Sequence, residues 1–218
     1  MNAASPMFNG MVTLQKLVDT VALLYAILYF PAPFFWLVIH PFIRFWRRFG
    51  NRSFWIAAPL WLAFAAGLIL VRHSLFAARI HRSLWTAIPG ALMIACGLWI
   101  GRQVHHDFGL RRLGGLPEMS PGRYAGGVVS AGIYSRLRHP RYVEYMLTFW
   151  GLALLTGAHG IFVLAIVTVL MYLVVAPFEE QELREHYGAA YDAYARAVPR
   201  FVPRLRRLRQ GAGNMPGT

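Results

Sequence analysis

Apolar positions in this chain come in long runs, separated by short clusters of arginine, glycine and proline. A bilayer-spanning helix needs about 20 apolar residues. The first such run, Leu14 to His40, is broken by Pro31 and Pro33, which predicts a kinked span or two shorter pieces. Phe54 to Val71 and Leu84 to Ile100 predict two more spans. A polar stretch rich in glycine and arginine occupies 101–141. Two further apolar runs, Tyr142 to Thr156 and Ile161 to Phe178, are joined only by Gly-Ala-His-Gly at 157–160. So short a connection predicts an antiparallel helical hairpin, its first arm shorter than a full span. In the polar tail, 179–209, Leu183, Tyr187, Tyr191 and Tyr194 recur at helical spacing and predict an amphipathic helix lying on the membrane or the core. The fold expected is all-α: a polytopic membrane protein with about five transmembrane or half-spanning helices, forming one integral membrane domain.

Composition agrees with that pattern. The chain is 57% hydrophobic and 14% charged, against roughly 25% charged residues in soluble domains. The net charge is +13, and Lys16 is the only lysine. Because the arginines lie between apolar runs, they fit lipid headgroups and topology signals rather than nucleic acid. Arg44, Arg47, Arg48 and Arg52 follow the first run, seven arginines lie within 101–141, and the 157–160 turn has none. The 101–141 segment and the tail are therefore expected on the cytoplasmic side of an inner membrane. Arg72, Arg79 and Arg82 would then face outward, against that rule.

Several chemistries lack their residues. Cys96 is the only cysteine, so no internal disulfide is expected. His105 and His106 are adjacent, without a partner at a ligand spacing, and no metal site is expected. No Gly-x-Gly-x-x-Gly or Gly-x-Ser-x-Gly motif is present. The N-terminal stretch does not read as a signal peptide, nor the C-terminal one as a prenylation box.

The polar residues at the hairpin ends are more informative. Arg138, His139, Pro140, Arg141 and Glu144 stand where its first arm begins. Four of the chain's nine acids, Glu179, Glu180, Glu182 and Glu185, follow its second arm. A hairpin returns to the face it left, so these groups are expected to meet at one interfacial pocket, where ionisable residues are costly and usually functional. Singly, each has a plainer reading: Arg138 and Arg141 as headgroup anchors, His139 as a residue before a helix-starting proline, Glu179 and Glu180 as first-turn acids, and Glu144 as a partner of Arg141.

The stretch Gly-Ile-Tyr-Ser-Arg-Leu-Arg-His-Pro-Arg-Tyr at 132–142 resembles a signature of the isoprenylcysteine carboxyl methyltransferases and the related phospholipid methyltransferases. The ending Glu-Glu-Gln-Glu-Leu through Gly-Ala-Ala-Tyr-Asp-Ala-Tyr to Val-Pro, from Glu179, resembles the same family. The likeness covers 122–203 and implies a membrane methyltransferase whose catalytic part is 101–209, after N-terminal membrane helices in 1–100. It implies S-adenosylmethionine as methyl donor, held by Gly126, Gly127, Val128, Val129, Tyr134, His139, Pro140, Arg141, Tyr142, Glu179 and Glu180. Glu144 and Arg138 are the candidate catalytic residues. The acceptor would be lipophilic and arrive from the bilayer, as a prenylcysteine carboxylate, a phospholipid or another lipid amine or hydroxyl; a non-catalytic protein keeping the fold is the alternative. Two positions depart from the prenylcysteine pattern. Val175 stands where an arginine is expected on the substrate side, and Glu144 where a glycine is common.

Overall fold

The computed structural model describes residues 6–108 and 127–204. They form helices with no strand among the described residues. Helix α1 (Pro6–Tyr29) and α2 (Ala32–Ile39) are the two halves of one kinked segment. Pro31 and Pro33 sit at the kink, where a missing N–H is least costly because the first turn of a helix has no partner for it. A short α3 (Ile43–Trp46) leads to α4 (Ser53–Leu70), and α5 (Arg72–Leu75) to α6 (Leu84–Phe108). The hairpin is α7 (Pro140–Thr156) and α8 (His159–Tyr187), followed by α9 (Ala189–Ala197).

Val12–Trp46, Leu84–His106 and His159–Tyr187 are long and apolar enough to cross a membrane, while Ala58–Leu70 of α4 is a shorter apolar helix. The chain is an all-α integral membrane protein. Many side chains on its outer face are large and apolar, Trp55, Leu70 and Trp85 among them, as lipid contact requires.

The most extensive helix–helix contact in the bundle is that of α6 with α7. It is close because small residues line it: a Cβ at Gly151 would stand 2.7 Å from the Gly90 carbonyl, and one at Gly97 would stand 2.6 Å from Thr148 Oγ1. Without a hydrophobic drive between helices in lipid, such backbone approach supplies much of the packing energy. The hairpin turns at Gly157, whose φ of +67° no bulky residue adopts cheaply. Its N–H caps α7 at the Ala153 carbonyl. The strap before α6 closes over this turn, with Ile80 N–H donating to Gly157 O and His159 N–H to Ala78 O. Arg79 bonds both carboxylate oxygens of Asp19 on α1, at 3.0 and 2.7 Å. Of the three arginines that stood against the topology rule, Arg79 thus has its charge answered locally, while Arg72 and Arg82 donate to backbone carbonyls.

Two expectations change. The second arm does not end at Phe178: α8 runs on through Pro177 to Tyr187, so Glu179 and Glu180 lie within a helix rather than in a first turn. Pro177 removes one backbone bond, which membrane helices tolerate where neighbours support the gap. The single amphipathic tail helix becomes two pieces, because Gly188, at φ +55°, breaks it. Leu183 and Tyr187 belong to α8, whereas Tyr191 and Tyr194 belong to α9.

Candidate functional site

At the end of the bundle opposite the Gly157 turn, three stretches meet: the start of α7, the last turns of α8 and the strand of chain after α9. Pro140 opens α7 and His139 precedes it as the capping residue. The 199–200 backbone pins this start, accepting from Arg138 N–H at 2.9 Å and from His139 N–H at 3.2 Å.

That position places the His139 ring between two neighbouring acids of α8. Nδ1 lies 3.1 Å from Glu179 Oε2 and Nε2 lies 3.0 Å from Glu180 Oε1. Side chains adjacent on a helix diverge by about 100°, so a ring wedged between them is what lets one residue bond both. Burial alone would depress the imidazole's pKa. The Glu179 charge, with hydrogen bonds to both carboxylates, outweighs that and raises it. A carboxylate oxygen stands at each ring nitrogen, the arrangement that favours the protonated ring.

Glu180 is fully buried. Arg200 donates to both its oxygens at 2.8 Å, Arg138 Nη1 stands at 3.2 Å, and Arg184 Nη2 at 3.6 Å. Glu179 is more open and accepts a 2.6 Å bond from Tyr142 Oη. Only its carboxylate, of the pair, faces outward enough to meet a ligand.

From His139 a column of rings runs into the bundle. His139 stacks on Tyr142 at 5.1 Å, Tyr142 on Tyr172 at 4.2 Å, and Tyr172 on Tyr145 at 5.9 Å. Tyr29 and Tyr25 continue it from α1, at 5.1 and 4.6 Å. Beside it, α7 presents a polar stripe to α6. Arg141 does not pair with Glu144. It donates from Nε to Tyr145 Oη at 2.7 Å, while Arg141 Nη1 and Glu144 Oε2 are shielded from solvent with no hydrogen-bond partner. Glu144 instead faces Gly101, where a Cβ would come within 2.5 Å of Oε1. Arg138 Nε and Tyr172 Oη are likewise unmatched. Buried polar atoms without partners are uncommon in native proteins and mark places where a ligand would complete the network.

The structure brings together Arg138, His139, Pro140, Tyr142, Glu179 and Glu180 as expected from sequence, with Arg141 in the same first turn of α7 and Glu144 about one turn deeper. Tyr134 lies beside them and its carbonyl accepts from Tyr194 Oη at 2.8 Å. Gly127, Val128 and Val129 have no regular secondary structure and make no hydrogen bond to this cluster among the described residues; Gly126 lies outside the described residues. Sequence reasoning missed Arg200, although it stands within the quoted tail motif. It also missed His40, whose Nδ1 is 2.8 Å from Glu182 Oε2, and Arg47, which donates to the same carboxylate at 2.8 Å. No local pattern couples residues 142 positions apart.

With the geometry in hand, comparison with known proteins is informative. Residues 85–190 match the model of the phospholipid methyltransferase family. A methanethiol S-methyltransferase of Bradyrhizobium diazoefficiens is 40% identical over 73 residues, covering 34% of this chain and 27% of the relative. A cobalt-zinc-cadmium resistance protein of Cupriavidus metallidurans is 38% identical over 85 residues, 38% of this chain and 39% of the relative. A phosphatidylethanolamine N-methyltransferase of Botryotinia fuckeliana is 26% identical over 162 residues, 72% of this chain and 14% of the relative. Over residues 85–190, just under half of its length, this chain is thus similar to the phospholipid methyltransferases, a family of integral membrane enzymes. It spans about a quarter of the length of the first curated relatives it matches. No solved structure matches the chain.

Proposed function

We propose that this chain transfers a methyl group from S-adenosylmethionine to a lipophilic, protic acceptor (a thiol, amine or hydroxyl) that arrives from the bilayer. The observation that carries the reading is the stripe of unmatched polar atoms on α7, Arg141 Nη1 and Glu144 Oε2, lying beside the His139–Glu179 contact. The donor's ammonium and sulfonium suit Glu179 and the tyrosine faces, and its carboxylate suits Arg141 or the cationic side of the Glu180 cluster. The residues present therefore fit that group. When bound, it supplies an electrophilic methyl on a cationic sulfur.

The chain's own contribution is position and dryness. The close α6–α7 contact and the tyrosine column exclude water, which favours an in-line displacement held in register. As the acceptor's heteroatom takes the methyl, its proton passes to Glu144 Oε2, leaving a neutral product and a protonated Glu144. A carboxylate acceptor would need no such base. Val175, where the prenylcysteine pattern has arginine, is fully buried among Tyr142, Tyr145 and Tyr172 and offers no cation there. These two positions favour a protic acceptor over a prenylcysteine carboxylate. The names of the methanethiol and phosphatidylethanolamine relatives agree with that preference. The arginine distribution supports a site on the cytoplasmic side of an inner membrane.

The test is methyl transfer from labelled S-adenosylmethionine by the purified protein in nanodiscs, offered an apolar thiol, an aminolipid, a hydroxylated lipid and a prenylcysteine. We expect methylated thiol, amine or hydroxyl product. Glu179→Gln should weaken donor binding, and Glu144→Gln should slow turnover with donor binding intact. A base-labile methyl ester as the sole product would overturn the acceptor class, and absence of donor binding would overturn the whole reading.

A further inference from the structure

A second cavity lies at the same end of the bundle, outside the site just described. It has a volume of about 590 Å³ and opens between α3 with its flanking residues and the C-terminal half of α8. Its back wall is hydrogen-bonded and buried. His40 and Glu182, both buried, bond each other, and the His40 ring stacks on Trp36 at 5.0 Å and 20°. Arg47 takes the second oxygen of Glu182, so that acid is fully matched. The front wall is different. Arg44 and Arg48, four residues apart, project on the same side of the chain. Arg44 reaches Glu185 at 3.2 Å with 84% of its side chain exposed. Arg48 lines the cavity with no carboxylate within ion-pair distance among the described residues. Phe42, Phe45 and Phe178 stand beside these arginines, 63%, 49% and 37% exposed.

We propose that this cavity binds the phosphate headgroup of an anionic membrane lipid. A cationic surplus remains once Glu182 is answered by His40 and Arg47, and guanidinium is the side chain best matched to phosphate oxygens. Arg44, loosely held by an exposed acid, turns inward at little cost. A free phosphate would have no use for three exposed phenylalanines. A lipid would lay its glycerol and upper acyl chain against them, at the depth where α8 leaves its apolar stretch. The volume suits a headgroup. The methyl acceptor is a separate matter, because none of the residues lining this cavity belongs to the His139–Glu179 cluster or to the tyrosine column.

The experiment uses the full-length protein in detergent and a fluorescent short-chain phosphatidylglycerol, with phosphatidylcholine and inorganic phosphate as competitors. Phosphatidylglycerol should displace the probe at concentrations about fivefold or more below phosphatidylcholine, and Arg44→Gln/Arg48→Gln should weaken binding about tenfold or more. Removing equal charge elsewhere, with Arg72→Gln/Arg196→Gln, should leave binding within about twofold. Binding by the unaltered protein should fall as salt rises, a readout that stands even if the double variant is unstable. Equal affinity for both lipids, equal loss in the control variant, or no salt dependence would each overturn the proposal. Full displacement by millimolar inorganic phosphate would overturn the lipid assignment.

Discussion

His139 and Glu180, 41 positions apart, meet at 3.0 Å in the interior of the protein. Around them Arg138, Arg184 and Arg200 converge on the same carboxylate. Glu180 is thus the counter-charge that lets the hairpin ends and the chain after α9 share one point. It does not need to touch a ligand to matter.

Glu180→Gln keeps the shape and removes the charge, leaving buried cations unanswered. Breaking a buried pair by deleting one partner costs about 3–5 kcal/mol. The variant should therefore melt far below the parent in detergent, or fail to accumulate. Arg200→Gln, whose side chain is partly exposed and which leaves other cations on Glu180, should cost much less. A Glu180→Gln protein with parental melting would refute the keystone role.

The pH dependence follows from His139. Its folded-state pKa lies above the ordinary 6.5, because the Glu179 charge and the hydrogen bonds to both carboxylates overcome burial. The stabilisation this gives is fully present below about 6.5, the unfolded value, and is lost as pH rises through the higher folded value. Melting temperature should fall as pH rises from about 6.5 through that higher value and level off above it. His139→Gln should be less stable at pH 6 and nearly flat across the window. If both proteins show the same alkaline slope, another group is responsible.

Much of this was legible in sequence. The hairpin follows from two apolar runs too close to do anything but turn back, and the meeting of His139 with Glu179 follows from the hairpin. The course of α8 did not. A proline followed by two acids reads as a stop in water, yet neighbouring helices carry α8 through it. Arg141 and Glu144 have the spacing of an ion pair, but Tyr145, one position further on, offers Arg141 a closer acceptor, and Glu144 is left facing Gly101. The Arg79–Asp19 contact accounts for one of the three arginines in the topology conflict, which charge counting could not, because counting ignores which arginines are paired. His40 and Glu182 come from opposite ends of the chain, and nothing local couples them.

At the far end of the bundle, Arg79 grips Asp19 through two bonds and also reaches the Thr156 carbonyl at 3.1 Å. Both side chains are partly exposed, so the gain is modest, about 1 kcal/mol. Asp19→Asn should lower stability by that order and leave the rate of methyl transfer unchanged. A double-mutant cycle with Arg79→Gln should show the two losses to be non-additive. A large fall in rate at parental stability would mean that this end of the bundle reports to the site.

Gly101 makes the sharpest case for the deep stripe. Its missing side chain is the space that the Glu144 carboxylate occupies, since an added Cβ would lie 2.5 Å from Oε1. Glu144, on a packed helix face, can give way only by changing rotamer, which aims it elsewhere. If Glu144 takes the acceptor's proton, Gly101→Ala should lower kcat about tenfold or more, the usual scale of a displaced general base, while donor affinity at Glu179 stays near the parental value. Gly97→Ala, one turn earlier on α6, meets Thr148 Oγ1 at 2.6 Å instead. It should cost stability, about 1–3 kcal/mol by overpacking, without that selective loss of rate. Single-turnover kinetics on both variants, with melting measured alongside, separates the two effects. Equal rates in the two variants would show that the stripe is packing rather than chemistry.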